Sequence, residues 1–275
     1  MMKVKKLSTK KHWDTDYEKQ LENKFYLKKR RFLSYSEMIF WKIIENYLPK
    51  GPLEILEVGS APGIKLIEFN RKMGYVPFGI EYSKHGCELN REVFEFNGCD
   101  PKNVLEVDFL SSEIQFKYKN SFDIVVSFGF IEHFDNVEEI IEKHYNLLKE
   151  NGYLLITIPN FSGINHSLSN YFAGKELIKM HNLKIMDINK FLDLFNDKRL
   201  KTLYSGYYGI FDFFLIYFEN RNNKIKNIIY FAFFWINIGL SIIFKALEKL
   251  NLANKLESKN FSPFLIYIGK KQYKL

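Results

Sequence analysis

The sequence predicts an α/β protein built on a doubly wound, mostly parallel sheet. Short apolar runs recur between Leu53 and Ile158 at roughly regular intervals, each closed by a Gly, Asp or Pro. Helix-length stretches separate them. The runs are apolar at successive rather than alternate positions, as in strands covered on both faces.

The elements follow in order. Residues 1–50 read as a mostly helical cap, in which Tyr35–Leu48 has apolar residues at helical spacing and stops before the breaker cluster Pro49-Lys50-Gly51. Residues 51–160 read as a ligand-binding core. Its strands are expected at Leu53–Val58, Val76–Ile80, Asn103–Val107, Asp123–Phe128 and Tyr153–Ile158, and its helices at Ile64–Met73, His85–Phe96 and Val137–Glu150. Residues 161–275 hold a short helix at Asn189–Asn196, a strand at Leu200–Ser205 and a last strand at Pro263–Gly269. An insert of about 208–250 separates those two strands. Its Tyr208–Phe218 and Asn227–Phe244 segments are rich in aromatics, and the second carries no charge.

Composition excludes several classes. Cys87 and Cys99 make no CxxC pair and no metal-ligand spacing, so no metal site is expected and a reducing cytoplasm suits the chain. The basic N-terminus is followed by no apolar stretch, so no signal peptide is expected. The net charge of +8 is unevenly spread: residues 1–50 carry +7, residues 51–160 carry −8 and residues 161–275 carry +9.

Glu57-Val58-Gly59-Ser60-Ala61-Pro62-Gly63 lies where the first strand turns into a helix, at the strand end where doubly wound sheets bind ligands. Small residues let the backbone approach a ligand. A dinucleotide fingerprint wants a third small residue at position 64, where branched Ile64 stands. The pattern resembles instead motif I of the class I S-adenosylmethionine-dependent methyltransferases, with Ala61 where that family usually has Gly. The resemblance continues in order. Gly79-Ile80-Glu81-Tyr82 ends the second strand with an acid suited to ribose hydroxyls, and Val107-Asp108-Phe109 ends the third with an adenine-binding pair. Phe122 to His133 is similar to the strand-4 motif of the ubiquinone-biosynthesis-like methyltransferases, and Leu147–Tyr153 to the family's turn before strand 5.

The resemblance implies a Rossmann-like seven-stranded sheet ending in an antiparallel hairpin. It also implies S-adenosyl-L-methionine as cofactor, held by Glu57, Gly59, Ser60, Ala61, Gly63, Glu81, Tyr82, Asp108, Phe109 and Phe128. His133 is the first candidate for a general base, its alternative reading being a structural residue. Asn160 is a possible donor to the acceptor, with ordinary turn chemistry as its alternative; His166 and His181 read as surface or capping residues. The stretch from Asn160 to Phe195 and the closing Ser262-Pro263 strand look like methyltransferases of bacterial surface-glycan clusters.

The expected activity is O-methylation of a small molecule or lipid-linked sugar. RNA or protein methylation, and a scaffold that keeps only the fold, are the alternatives; nucleic acid is not an expected partner because no module places stacking aromatics on a basic face. The oligomeric state is left open. For Asn227–Phe244 the favoured reading is an interfacial or partner-packing helix, ahead of an internal helix or a bilayer span. Asn237 and Ser241 share one face with Tyr230, Phe234 and Glu248, which argues against full lipid exposure. The chain is therefore expected in the cytoplasm, with residues 208–250 a possible contact with the inner membrane surface.

Overall fold

The computed structural model describes residues 5–23, 34–172, 178–196, 199–212, 224–250 and 252–272. Two helices, α1 (Lys10–Asn23) and α2 (Tyr35–Tyr47), precede the sheet. The chain then alternates: β1 (Glu54–Val58), α3 (Ile64–Met73), β2 (Val76–Glu81), α4 (Lys84–Phe96), β3 (Val104–Glu106), α5 (Ser112–Lys117), β4 (Phe122–Phe128), α6 (Val137–Leu147) and β5 (Leu148–Pro159). There follow α7 (Gly163–Phe172), α8 (Ile188–Asp193), β6 (Leu200–Tyr208), α9 (Lys224–Glu248) and β7 (Phe264–Lys271).

The seven strands form one sheet in the order β3-β2-β1-β4-β5-β7-β6. Strands β1 to β5 run parallel, and β7 pairs antiparallel with both β5 and β6. This is the Rossmann-like arrangement with a C-terminal antiparallel pair. The period of two along each strand sends successive side chains to opposite faces. Ile55, Ile124, Val126, Leu155, Ile266 and Ile268 pack into one apolar cluster, and Leu56, Val125, Leu154, Ile156 and Leu265 into the other. Both faces are thus covered, which explains why the sequence runs are apolar without alternation.

The expected element ends shift where backbone pairing decides them. The helix expected to reach Glu150 stops at Leu147, because Leu148 already pairs with Phe122 across a register shift. The strand expected from Tyr153 therefore begins five residues earlier. The strand expected at Leu200–Ser205 runs on to Tyr208, since Gly206, Tyr207 and Tyr208 continue to pair with β7. The charge-free segment lies within the 25-residue helix α9. Most of the apolar Tyr208–Phe218 segment lies outside the described residues, as does the basic flank residue Arg221.

The turn between β1 and α3 is shaped by glycine. Gly59 has φ +73° and Gly63 φ +84°, where an L side chain is strained. A Cβ on Gly63 would also collide with Asn90 Oδ1, and Asn90 holds the loop by donating from Nδ2 to Ser60 Oγ at 2.6 Å. Gly63→Ala should therefore lower the unfolding free energy by about 2–3 kcal/mol, from left-handed backbone strain and a displaced buried hydrogen bond. Urea denaturation followed by circular dichroism checks this; an unchanged midpoint would mean that the loop relaxes freely.

Candidate active site

The strand order reverses between β1 and β4, and the carboxyl ends of the parallel strands open there into a cleft. Gly59, Ala61, Glu81, Tyr82, Asp108, Phe109 and Phe128 line it, so seven of the ten residues expected to hold the cofactor share one wall. The other three stand behind it. Gly63 caps α3, Ser60 accepts from Asn90, and Glu57 is buried beneath the loop.

The two acids at the ends of β1 and β2 are both buried. Glu57 is 6% exposed, and its Oε2 has no hydrogen-bond partner among the described residues. Burial pushes its carboxyl well up, against the pull of the Lys65 ammonium. Glu81 Oε1 accepts from the amides of Tyr82 and Ser83, both at 2.8 Å. Burial raises its pKa, and the backbone amides of Ser83, Tyr82 and Ala61 partly offset the shift. A cofactor with a sulfonium and a ribose fits such a wall: Glu81, fixed by two backbone amides, lines the cleft, and Glu57 stands behind it with one carboxyl oxygen unpartnered among the described residues.

Asp108 departs from expectation in one respect. Its Oδ1 accepts from the amide of Leu110 at 3.0 Å, and its Oδ2 pairs with Lys6 Nζ at 2.9 Å. Lys6 also lies over the Tyr82 ring, 4.7 Å from its centroid. An incoming adenine must share or displace this ammonium. The pair is half exposed, and such pairs contribute about 0–1 kcal/mol, so displacement is cheap. The N-terminal segment carrying Lys6 is fixed by its backbone: Leu7 N donates to His133 O at 2.7 Å and Lys5 N to Asp135 Oδ1 at 3.0 Å. Lys6, Ser8, Trp13 and Tyr17 thereby complete the cleft. Sequence reading missed these four, because their placement depends on pairing across some 130 residues.

A second cavity adjoins the first on the side of β5. His12, Asp16, Glu132, Phe161 and His181 help to line it, and Trp13, Phe128, Gly129 and His133 are common to both. His133 is buried. Its Nδ1 lies 2.7 Å from the carbonyl of Met180. A carbonyl only accepts, so Nδ1 carries the proton and Nε2 keeps its lone pair. Burial and the neighbouring His181 push His133 down to about 3, so it is uncharged at neutral pH. Trp13 packs edge-on to its ring at 5.3 Å.

His181, read as a surface or capping residue, instead joins this wall with its ring centroid 4.6 Å from that of His133. Glu132 is 1% exposed, its Oε2 has no partner among the described residues, and burial pushes it up to about 8. Glu132, His133 and His181 each offer one ligand atom, all within 4.8 Å of one another. No cysteine spacing announces this group, and two histidines with one carboxylate are a donor set able to hold a divalent cation. Asn160 is not free to serve an acceptor through its amide nitrogen: Nδ2 donates to Lys259 O at 2.8 Å and Ser262 O at 2.7 Å, tying the end of β5 to the approach of β7. His166 lies on α7 beside Asn170, away from both cavities.

Comparison with known proteins bears on this arrangement. A family model described as "Methyltransferase domain" matches residues 26–205. The ubiquinone biosynthesis O-methyltransferase of Pelagibacter ubique (strain HTCC1062) is 30% identical over 121 residues, 44% of this chain and 48% of the relative, so the chain spans about half that protein's length. The EEF1A lysine methyltransferase 2 of Danio rerio is 27% identical over 187 residues, 63% of this chain and 78% of the relative. Among solved structures, a SAM-dependent methyltransferase from Archaeoglobus fulgidus covers 93% of this chain and all of its own at a TM-score of 0.52 and 19% identity. Geranyl diphosphate C-methyltransferase from Streptomyces coelicolor A3(2) covers 86% of this chain and 79% of its own at a TM-score of 0.54 and 12% identity. These two show the shared fold. With the family match extending over most of the chain and the strand-end acids gathered at one cleft, the chain belongs to the S-adenosylmethionine-dependent methyltransferases.

Proposed function

We propose that the chain methylates an oxygen of a small molecule or lipid-linked sugar. The observation that carries this reading is the position of His133 on the wall common to the cofactor cleft and the adjoining cavity, with a neutral imidazole and a lone pair at Nε2. The bound cofactor supplies an activated methyl group on a sulfonium. The protein's task is then to align, to exclude water and to handle one proton. Glu57, Glu81 and Asp108 hold the donor from the strand ends. Phe128, packed against Phe40 and Phe69, fixes the boundary between the cavities. Trp13, Phe161 and Phe264 give the second cavity a largely apolar wall that keeps water from the acceptor. His133, too weak a base to ionise the free hydroxyl, takes the proton at Nε2 only as the methyl–oxygen bond forms and the oxygen turns strongly acidic; its position is fixed by the Met180 carbonyl.

A second reading is supported by the longer match to the EEF1A lysine methyltransferases, where the acceptor is an amine on a protein. An amine need only arrive neutral, so that reading gives His133 no proton to take. Radiolabelled methyl transfer to panels of hydroxylated small molecules, sugar lipids and proteins separates the two. Label on protein alone would overturn the oxygen assignment.

His133→Asn keeps a donor for the Met180 carbonyl but removes the basic nitrogen. It should lower kcat by about a hundredfold or more, with cofactor affinity unchanged. Unchanged turnover would make His133 structural; turnover abolished by a chelator and restored by a divalent cation would assign the Glu132–His133–His181 group to a metal.

Glu81→Gln should weaken S-adenosylmethionine binding by about 1–3 kcal/mol at neutral pH. Because burial raises the pKa of Glu81, the wild-type carboxylate takes up a proton at a higher pH than an ordinary carboxylate. Cofactor affinity should therefore decline as pH falls toward that raised value, and the Gln variant should show a shallower decline. Calorimetry across acidic to neutral pH checks both; parallel curves would remove Glu81 from the grip.

A further inference from the structure

Helix α9 has its amphipathicity reversed with respect to an ordinary surface helix. Asn237, Ser241 and Glu248 turn inward. Asn237 is fully buried and Ser241 is 3% exposed. The hydroxyl of Ser241 accepts from Tyr35 N at 3.4 Å, and Glu248 receives Tyr35 Oη at 3.2 Å and Lys42 Nζ at 2.6 Å, all from α2. Lys226 Nζ bonds the carbonyl of Tyr171 on α7 at 2.9 Å. The outward face is apolar: Ile225, Ile228, Phe231, Trp235, Ile242 and Ile243 are 53–70% exposed. At 100° per residue these six fall within one arc, and no polar side chain interrupts that arc between Ile225 and Ala246. Lys224 and Lys249, both exposed, stand on the same arc at its two ends.

We infer that α9 lies flat in the interfacial layer of an anionic lipid bilayer, with this apolar face immersed and Lys224 and Lys249 on headgroup phosphates. Three observations favour it. First, the helix is long and apolar enough to cross a membrane, but its middle and C-terminal end are fastened to α2. That helix is part of the same apolar cluster as the sheet, so a crossing would drag the folded domain into hydrocarbon. Second, a protein partner ordinarily engages about one hydrogen bond per 100–200 Å² of interface, and this face presents no polar side chain over about 30 Å of helix. Hydrocarbon requires none. Third, the charge is complementary: cations bracket the apolar face, where anionic headgroups add about 1 kcal/mol for each Lys near the surface. The same flank carries a cleft lined by Ser34, Ser36, Asp212, Phe128 and Thr157, which links the N-terminus of α2 to the wall of the acceptor cavity.

The inference is independent of which acceptor is methylated, and its test needs no turnover. The full chain is mixed with vesicles of phosphatidylcholine, with or without phosphatidylglycerol, and floated on a density gradient. Binding is expected and should be stronger to the anionic vesicles. Trp235 is the strongly exposed tryptophan among the described residues, so its emission should shift to the blue and be quenched by brominated lipid; Trp235→Phe should float while losing most of that quenching. Phe231→Asp with Trp235→Asp should abolish flotation. Lys224→Ala with Lys249→Ala should weaken binding to the anionic vesicles by roughly ten- to thirtyfold and leave binding to the neutral ones unchanged. All four side chains are exposed, and unchanged S-adenosylmethionine affinity certifies the fold of each variant. A chain that floats with neither vesicle overturns the inference. So does a dimer in solution that Phe231→Asp splits without any vesicle binding, which would give the face to a second copy.

Discussion

The covering of the parallel strands on both faces is the constraint from which the rest of the structure follows. A one-residue slip in β1, β4 or β5 would exchange the two apolar clusters, and each cluster is already filled by side chains of fixed shape. The register is therefore pinned, and with it the positions at which the strands end. Glu57, Glu81 and Phe128 are in place because Ile55, Ile80 and Val126 cannot move. The same constraint makes the acids tolerable. Buried carboxylates such as Glu57 and Glu132 disfavour the folded state, since each has an oxygen without a partner among the described residues. The two-sided core supplies the stability against which that cost is set, and a cationic ligand bound only by the folded chain recovers part of it.

What was legible in the sequence was what local chemistry dictates. A loop that must turn sharply beside a ligand needs glycine at Gly59 and Gly63, and both have positive φ. Acids stand where the second and third strands end, and Glu81 and Asp108 both line the cleft. The shared face of Asn237 and Ser241 followed from helical spacing alone, and both are buried. What was not legible depends on contacts between distant segments. His181 gives no local sign that it will stand beside His133. Lys6 gives none that it will reach Asp108, because a backbone bond between Leu7 and His133 places it there. Asn160 was open to two readings for the same reason: Pro-Asn says nothing about the carbonyls of Lys259 and Ser262 that occupy its amide.

The uneven charge acquires a structural sense once the elements are placed. The negative core contains the acids of the cleft, and ion pairs tie that core to the positive flanks and the flanks to each other. Lys65 pairs with Glu37 of α2, Lys6 with Asp108, and Lys42 with Glu248 of α9. These pairs are partly exposed, and each contributes little to stability. Their effect is to fix where the peripheral helices sit on the core, since a wrong placement would leave a carboxylate half buried without its cation.

Helix α2 is the element through which the periphery and the site meet. On one side it holds α9, through Tyr35 and Lys42. On the other, Phe40 packs edge-on against Phe128 with centroids 5.8 Å apart, and Glu37 pairs with Lys65, whose charge acts on Glu57. A displacement of α9 would therefore act on Phe128, the side chain that all three cavities share, through two packed contacts. Close-packed side chains transmit such a shift because they have no free volume in which to absorb it. The polar residues of α9 consequently do more than satisfy one another: through α2 they tie that helix to the wall between the two cavities.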